Sequence, residues 1–520
     1  MYLSADQLSD GTLLQGYDIC IVGAGAAGLA MAKRLIGTSR RVLVLASGLA
    51  DDKGRPEAQR QSIYKGTVGD FLQKVDPVFL HRSRLHMYGG TTNHFGFWSR
   101  PLDEIDLRPR PGYRRASWPI SSDELAGYYA NAHHFGRFGP FNYDDMPFWE
   151  RVLYARCFPT QAQDELTGAI MHAQYEEDLH DFQVQFGDEL SASSNVTILF
   201  NANLLNINTV DGTHVSDLEC ACIESGKAGR HFRVAASTYT LAMGGVETVR
   251  MLKLAGNLGD NSKRHLGRGF MMHPLITSAA TAHFSQPVAT DICNFFRDQQ
   301  VRLQPPAFSH EPYTHVSAPL VNPEDVFNYC VFNAWGVLVP TPSVLDAKQI
   351  GNFRLILRFN TARDAADINI NWEQIPNENS TITLSLTEVD PVFGQPVAHV
   401  DWQMLDEDKH TAVEALKICE SYLRERGAVD FNMLTDLSGG ADQWVFAPKE
   451  GALATGDHHM GALRMAEQPD NGIVNINSRL HAVDNLYIAG CAVFPTGGFA
   501  NPTLTIVALA LRLADHLKML

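Results

Sequence analysis

The sequence predicts an α/β fold, and three observations carry the prediction. Near the N-terminus an apolar run, a glycine-rich turn, an apolar helical stretch and a second apolar run follow one another within residues 17–45, the pattern of a strand–helix–strand unit. Between about residues 275 and 448 the pattern shifts to strand-like runs such as 353–359 and 381–386, with turns at Pro376-Asn377 and Gly394-Gln395-Pro396. Near the C-terminus a short apolar strand, 486–489, leads through a glycine-rich turn to an apolar helix opened by Asn501-Pro502-Thr503, with proline at an early helical position.

The first unit reads YDICIVGAGAAGLAMAKRLIGTSRRVLVL. A buried strand over 18–22 runs into Gly23-Ala24-Gly25-Ala26-Ala27-Gly28, and a second strand over 41–45 closes the unit. Gly23 permits the tight turn, Gly25 lets backbone N–H groups approach a pyrophosphate, and Gly28 lets the helix pack on its strand. The three glycines bracketed in this way predict a Rossmann-type dinucleotide site. One element is missing. A carboxylate normally ends the second strand and holds the adenosine ribose, but here Ala46, Ser47 and Gly48 follow Leu45. Ser47, a backbone carbonyl, or contacts elsewhere on the cofactor must substitute. No Arg or Lys directly follows the strand to favour a 2′-phosphate, because Lys53 and Arg55 lie further on.

At the other end, the helix opened by Asn501-Pro502-Thr503 would present free N–H groups and a partial positive charge, suited to negative charge on a redox ring. Composition sets the outer bounds. The 520 residues leave room for about three domains. With 45% hydrophobic residues, 27 Phe, 15 Tyr and 7 Trp, a large core is expected, which excludes a disordered or fibrous chain. The balance of 42 basic and 58 acidic residues, 42 − 58 = −16, argues against nucleic acid and acidic membranes as partners. The eight cysteines are scattered without zinc-site spacing, so neither disulfides nor a metal is expected; Cys220 and Cys222 read as small core residues. No export signal is readable in residues 1–18 and no apolar run reaches the roughly 20 residues of a membrane helix, so a cytoplasmic location is expected.

With both ends in view, the chain resembles the glucose–methanol–choline (GMC) flavoprotein oxidoreductases. Motifs occur in family order: Gly23 to Gly28, Gly89-Gly90-Thr91-Thr92-Asn93-His94-Phe95, Thr240-Leu241-Ala242-Met243-Gly244-Gly245-Val246-Glu247-Thr248, and Leu266-Gly267-Arg268-Gly269-Phe270-Met271-Met272-His273-Pro274. His458-His459-Met460-Gly461 and the Asn501-Pro502-Thr503 ending complete the set. The NHF segment, Glu373-Gln374-Ile375-Pro376-Asn377 and the C-terminal pair are most similar to the branch of pyranose oxidases, glycoside 3-oxidases and sugar dehydrogenase large subunits.

The resemblance implies FAD rather than NAD, and two interleaved domains rather than three. An FAD-binding domain would take residues 1–274, with a lid or insert at about 60–150, together with 451–520. A substrate domain of β-sheet backed by helices would fill 275–450. Cofactor contacts are carried over to Gly23, Gly25, Ala26, Ala27, Gly28, Ser47, Gly90, Thr91, Asn93, Asn203, Leu204, Gly244, Gly490, Cys491, Asn501 and Thr503. His94 takes the place of a histidine that in some relatives is bonded to the flavin C8 methyl group, and either that bond or packing on the dimethylbenzene edge is expected. His458 takes the place of the catalytic base and Asn501 that of its partner, with His459 as the neighbouring register. Imidazole would accept the hydroxyl proton while the amide holds the oxygen.

In the middle of the chain Ser121-Ser122-Asp123-Glu124 reads as a capping box opening a helix to about residue 134, and an amphipathic helix is expected over 411–426, stopped by Gly427. Gln374, Trp444 and the aromatics of 284–335 are candidate substrate contacts or pocket wall. Seven arginines in 82–115 read as a solvated basic face.

The leading functional expectation is FAD-dependent oxidation of a secondary hydroxyl on a sugar or glycoside, with oxygen, a quinone or a protein as electron acceptor. A non-sugar alcohol such as a sterol or natural-product intermediate is the alternative. A GMC-type lyase or decarboxylase without net oxidation is a third class. Fold alone cannot choose among them.

Overall fold

The computed structural model describes residues 1–49, 65–94, 97–110, 116–174, 182–256, 258, 264–304, 314–315, 330–439 and 452–520. The first sheet collects strands β1 (Tyr2–Ser4), β2 (Thr12–Val22), β3 (Val42–Ala46), β4 (Val196–Phe200), β5 (Asn203–Val210), β6 (His214–Glu224) and β7 (Lys227–Leu241). Their order is β1-β4-β3-β2-β7-β6-β5, and the late strand Leu486–Ile488 joins along β7. Parallel pairing places Ile19 opposite Val42 and Val22 opposite Leu45. Strand β2 begins six residues before the expected 18–22, because Thr12–Leu14 pair with Phe232–Val234 of β7 across a register shift. That half is partly exposed, so its sequence lacks the apolar run that marks a strand buried on both faces.

Five helices bear on the site: α1 (Ala26–Arg34), α2 (Ser122–Gly136), α3 (Gly245–Ala255), α4 (Asp406–Arg424) and α5 (Thr503–Met519). Helix α5 packs between α1 and α2, tied by the Arg34–Asp515 ion pair at 2.8 Å and a Tyr129–Thr505 hydroxyl bond at 3.0 Å. Only half of the expected capping box forms at α2. Ser121 Oγ accepts from the Glu124 N–H at 3.2 Å, while the Glu124 carboxylate turns to Arg512 on α5 at 2.7 Å. Helix α4 starts five residues before the expected 411, because Asp408 reaches back to accept from the Leu405 N–H and also takes the Ile375 N–H, both at 2.7 Å.

Strands β8 (Pro274–Phe284), β9 (Phe353–Asn360) and β10 (Ala365–Trp372) form the centre of a nine-stranded sheet. They are antiparallel, with Phe353 opposite Trp372 and Leu275 opposite Asn371. The strand Leu166–Gln174 also belongs to this sheet, paired with Cys330–Pro340. A five-stranded sheet, containing Arg268–Met271, Met460–Ala462 and Thr381–Val389, stands beside α3. The mixed α/β architecture predicted from the sequence is the one observed.

The expected basic face is corrected by burial. Arg84, Arg100 and Arg110 are buried; Arg110 pairs with Glu373 at 2.6 Å and Arg100 with Asp103 at 3.1 Å. A charged side chain leaves water only when paired and hydrogen-bonded, and these carboxylates lie elsewhere in the sequence or were too few to suggest it. Among the described residues no helix is long and apolar enough to cross a membrane, and no group of His, Cys, Asp or Glu could hold a metal ion.

Candidate active site

The turns after β2, β3, β7 and Leu486–Ile488 all emerge at the carboxyl ends of their strands, the edge of an open α/β sheet where ligands bind. There a cavity of about 880 Å³ opens between the first sheet and the wall made by β8, β9 and β10. Gly23, Gly25, Ala26, Ala27, Ser47, Asn203 and Leu204 line it together with Gly90, Thr91 and His94. Met243, Gly244, Gly490, Cys491, Thr503, His458, His459 and Asn501 line the same space. One cavity therefore joins the glycine turn near residue 25 to the histidine and asparagine near residues 458 and 501.

The glycine-turn end fits a dinucleotide. Gly23 sits at φ +108°, and a β-carbon there would lie 2.5 Å from the Ala242 carbonyl oxygen. A β-carbon on Gly28 would lie 1.9 Å from the Gly23 carbonyl oxygen, so only glycine brings α1 this close to its strand. Gly25 caps α1 without a side-chain hydrogen bond, leaving the positive helix end open to an anion. Gly28 does not line the cavity; its part is this packing. At the rim, Ala46 ends β3 where a carboxylate would stand. Asn203 donates from Nδ2 to the Ala221 carbonyl at 3.1 Å and keeps a buried Oδ1 without a protein partner. That acceptor, with the cavity-lining Ser47, could take over hydrogen bonding to a ribose or adenine.

At the other end a chain of hydrogen bonds fixes which atoms give and take protons. His273 Nε2 lies 2.8 Å from the Gly498 carbonyl, which can only accept, so that nitrogen carries the proton. Burial, with Arg354 nearby, pushes His273 down to about 3 and keeps it neutral. Its Nδ1 is then an acceptor, and His458 Nδ1, 2.6 Å away, must donate to it. The lone pair of His458 is left on Nε2, facing Asn501 Nδ2 at 3.2 Å. Asn501 is oriented in turn: a guanidinium only donates, so the Arg354 contact at 2.8 Å identifies Oδ1 and turns the NH₂ group toward His458. Burial, together with His273 and Arg354, holds His458 well below the usual imidazole range, so Nε2 stays unprotonated at neutral pH, its lone pair accepting from Asn501.

Residues 376–510 match the family model described as GMC oxidoreductase. Over 96% of this chain and 95% of the relative, the sequence is 24% identical to the 2-methyl-1,2-propanediol dehydrogenase of Mycolicibacterium austroafricanum. Over residues 376–510 the chain is similar to the GMC oxidoreductases. A 56-residue stretch, 11% of each chain, is 43% identical to the C-glycoside 3-oxidase of an Arthrobacter globiformis strain. The fold matches a formate oxidase of Aspergillus oryzae, studied for FAD modification, with a TM-score of 0.58 at 16% identity over 98% of this chain and 99% of that one.

Some expected site residues stand apart from the cavity. Asn93 does not line it; its Nδ2 donates to the Tyr88 and Gly90 carbonyls at 3.0 and 2.6 Å and its Oδ1 accepts from Gln183 at 2.6 Å, so it braces the glycine turn. Gln374 is fully engaged: Oε1 accepts from the Met272 N–H and Trp402 indole, and Nε2 donates to the Gln403 carbonyl. It also lies outside the cavity wall, which corrects its reading as a substrate contact. Trp444 and Phe95 fall outside the described residues, as does most of 305–329. The His459 ring bonds Ser83 Oγ at 3.0 Å and stands edge-on to Phe79, so Asn501 pairs with His458 and not with its neighbour. Cys491 donates to the His459 carbonyl, and burial pushes its thiol up to about 12, far from a reactive thiolate.

Sequence reasoning missed three residues of the site. His273 was visible at the end of the Leu266 to Pro274 motif but carried no role there. Arg354 had no signal at all, being one of two arginines in a largely apolar strand. Glu373, inside the quoted Glu373 to Asn377 segment, accepts from the Gly498 N–H at 3.1 Å and so anchors the loop on which His273 leans.

Proposed function

We propose that this protein is a GMC oxidoreductase that binds FAD and oxidises a secondary hydroxyl of a sugar or glycoside to a ketone. The observation that carries the reading is the His458–Asn501 pair, 3.2 Å apart in the same cavity as the positive end of α1. When bound, FAD would supply the acceptor for the hydride leaving the carbinol carbon. Gly23, Gly25, Ala26, Ala27 and Ser47 would hold its phosphates and ribose, with Asn203 and Leu204 at the adenine end. His94, on the cavity wall among Gly90 and Thr91, is the residue to carry the cofactor covalently.

His458 Nε2 would take the hydroxyl proton, and the second N–H of Asn501 would hold the oxygen. A placed base is worth about 10²–10⁴ in rate, and orientation by the amide adds to it. The polar wall of Thr277, Asn369 and Asn371 supports a substrate with several hydroxyls over an apolar one, because each such group needs a partner once water is displaced.

Anaerobic mixing of the holoenzyme with a panel of alcohols tests the proposal. Bleaching of the flavin by sugars or glycosides is expected. Bleaching by sterols alone would replace the substrate class, and cleavage without bleaching would overturn oxidation. Admission of air then shows whether oxygen or another acceptor restores the colour.

A further inference from the structure

We infer that the substrate is an alcohol carrying an anionic group, a sugar acid or other hydroxy carboxylate, held by the guanidinium of Arg354. The inference rests on the alcohol-oxidation reading above and adds the charge of its substrate.

Arg354 is 3% exposed and lines the cavity from β9. It is placed beside the reacting groups, since one of its terminal nitrogens donates to Asn501 Oδ1 at 2.8 Å. That nitrogen also meets Met171 Sδ at 3.7 Å, and the guanidinium lies 5.4 Å from the Trp98 ring centre. Its Nε is buried without a partner, and among the described residues no carboxylate pairs with it. Burial lowers its guanidinium to about 9, which leaves it charged at neutral pH. A buried charge without a counter-ion is costly and is retained where a ligand supplies the missing charge.

The rest of the wall agrees. Arg82, Arg84, Arg250, Arg354 and Arg358 line the cavity. Asp457 and Asp76 answer Arg82 at 2.7 and 2.5 Å, and Glu247 and Asp390 answer Arg250 at 2.5 and 3.5 Å, with Glu247 also 3.8 Å from Arg84. Among the described residues no carboxylate is left for Arg354. Arg358 is exposed and lines the same wall. Four residues along the strand from Arg354, it stands about 13 Å further out, where it would draw anions inward. A planar guanidinium with free N–H groups matches a carboxylate through two parallel hydrogen bonds, whereas a neutral hydroxyl leaves the charge unanswered.

The test is competitive binding to the holoenzyme, followed by perturbation of the flavin spectrum, with gluconate and glucuronate against glucose and, as the cationic member, glucosamine. The carboxylates are expected to bind about 10- to 100-fold more tightly than glucose, and glucosamine most weakly. Arg354→Met should erase this preference, and Arg358→Gln should weaken it together with its salt dependence. Equal or tighter binding of the neutral sugar overturns the inference, with the wild-type protein alone sufficient to show it. A preference that survives Arg354→Met, with only the flavin potential altered, also overturns it. Failure of every alcohol to bleach the flavin would instead defeat the alcohol-oxidation reading, while the binding series would still decide the charge.

Discussion

His273 Nδ1 lies 2.6 Å from His458 Nδ1, and because the Gly498 carbonyl fixes the proton of His273 on Nε2, His458 is held in the tautomer whose Nε2 is a base. His273 thus acts as a positioning residue. His273→Leu should slow flavin reduction by about 10- to 100-fold, the worth of one or two buried hydrogen bonds, and should change the pH profile. His273→Gln, which restores an acceptor, should recover much of the rate. A leucine variant with an unchanged rate and profile would refute the relay.

The two neighbouring histidines should separate kinetically. His458→Ala is expected to slow single-turnover flavin reduction by two orders of magnitude or more. His459 serves Ser83 and Phe79, so His459→Ala should cost about 1–3 kcal/mol of stability and leave the reduction rate within about tenfold. The reverse pattern would move the base to the other register.

Covalent attachment through His94 predicts that acid denaturation leaves the yellow colour with the precipitated protein, and that His94→Ala releases it to the supernatant. Colour wholly in the supernatant of the unaltered protein would sink the attachment.

Acid should destabilise the fold. Burial pushes His133 down to about 4 and His273 and His459 down to about 3, and holds His172 and His458 well below their ordinary value. Five imidazoles therefore stay neutral in the folded chain while the unfolded chain protonates them below about pH 6.5. Their contribution is fully present above that pH and is lost as pH falls toward the folded values. Burial raises Asp408 to about 7 and Asp106 well above the carboxylate range, which acts in the opposite sense for two groups. The imidazoles outnumber these carboxyls, so stability is expected to fall as pH falls from about 6.5 toward 4. Urea midpoints measured across that range check it; a flat profile would contradict the burial of these rings.

Much of the fold was legible because its signals are local. The run of buried residues in β2, the glycines at Gly23 and Gly28, and the Ser121 cap each follow from sterics or hydrogen bonding among near neighbours. The same holds for His458 and Asn501, which stand in short recognisable motifs. Boundaries slipped where a distant partner decided them: β2 is lengthened by β7, and α4 by the reach of Asp408 to Ile375.

Local sequence accounts for the strand–helix–strand unit, the glycine turn and the identity of the His–Asn pair, since each depends on residues a few positions apart. The tertiary structure alone decided that Arg84, Arg100 and Arg110 are buried, that Asn93 and Gln374 brace the site from outside its cavity, and that His273 and Arg354 flank the His–Asn pair. Those facts turn on contacts between residues up to 263 positions apart, and burial, orientation and tautomer are set only when such groups are brought within hydrogen-bonding distance and water is removed.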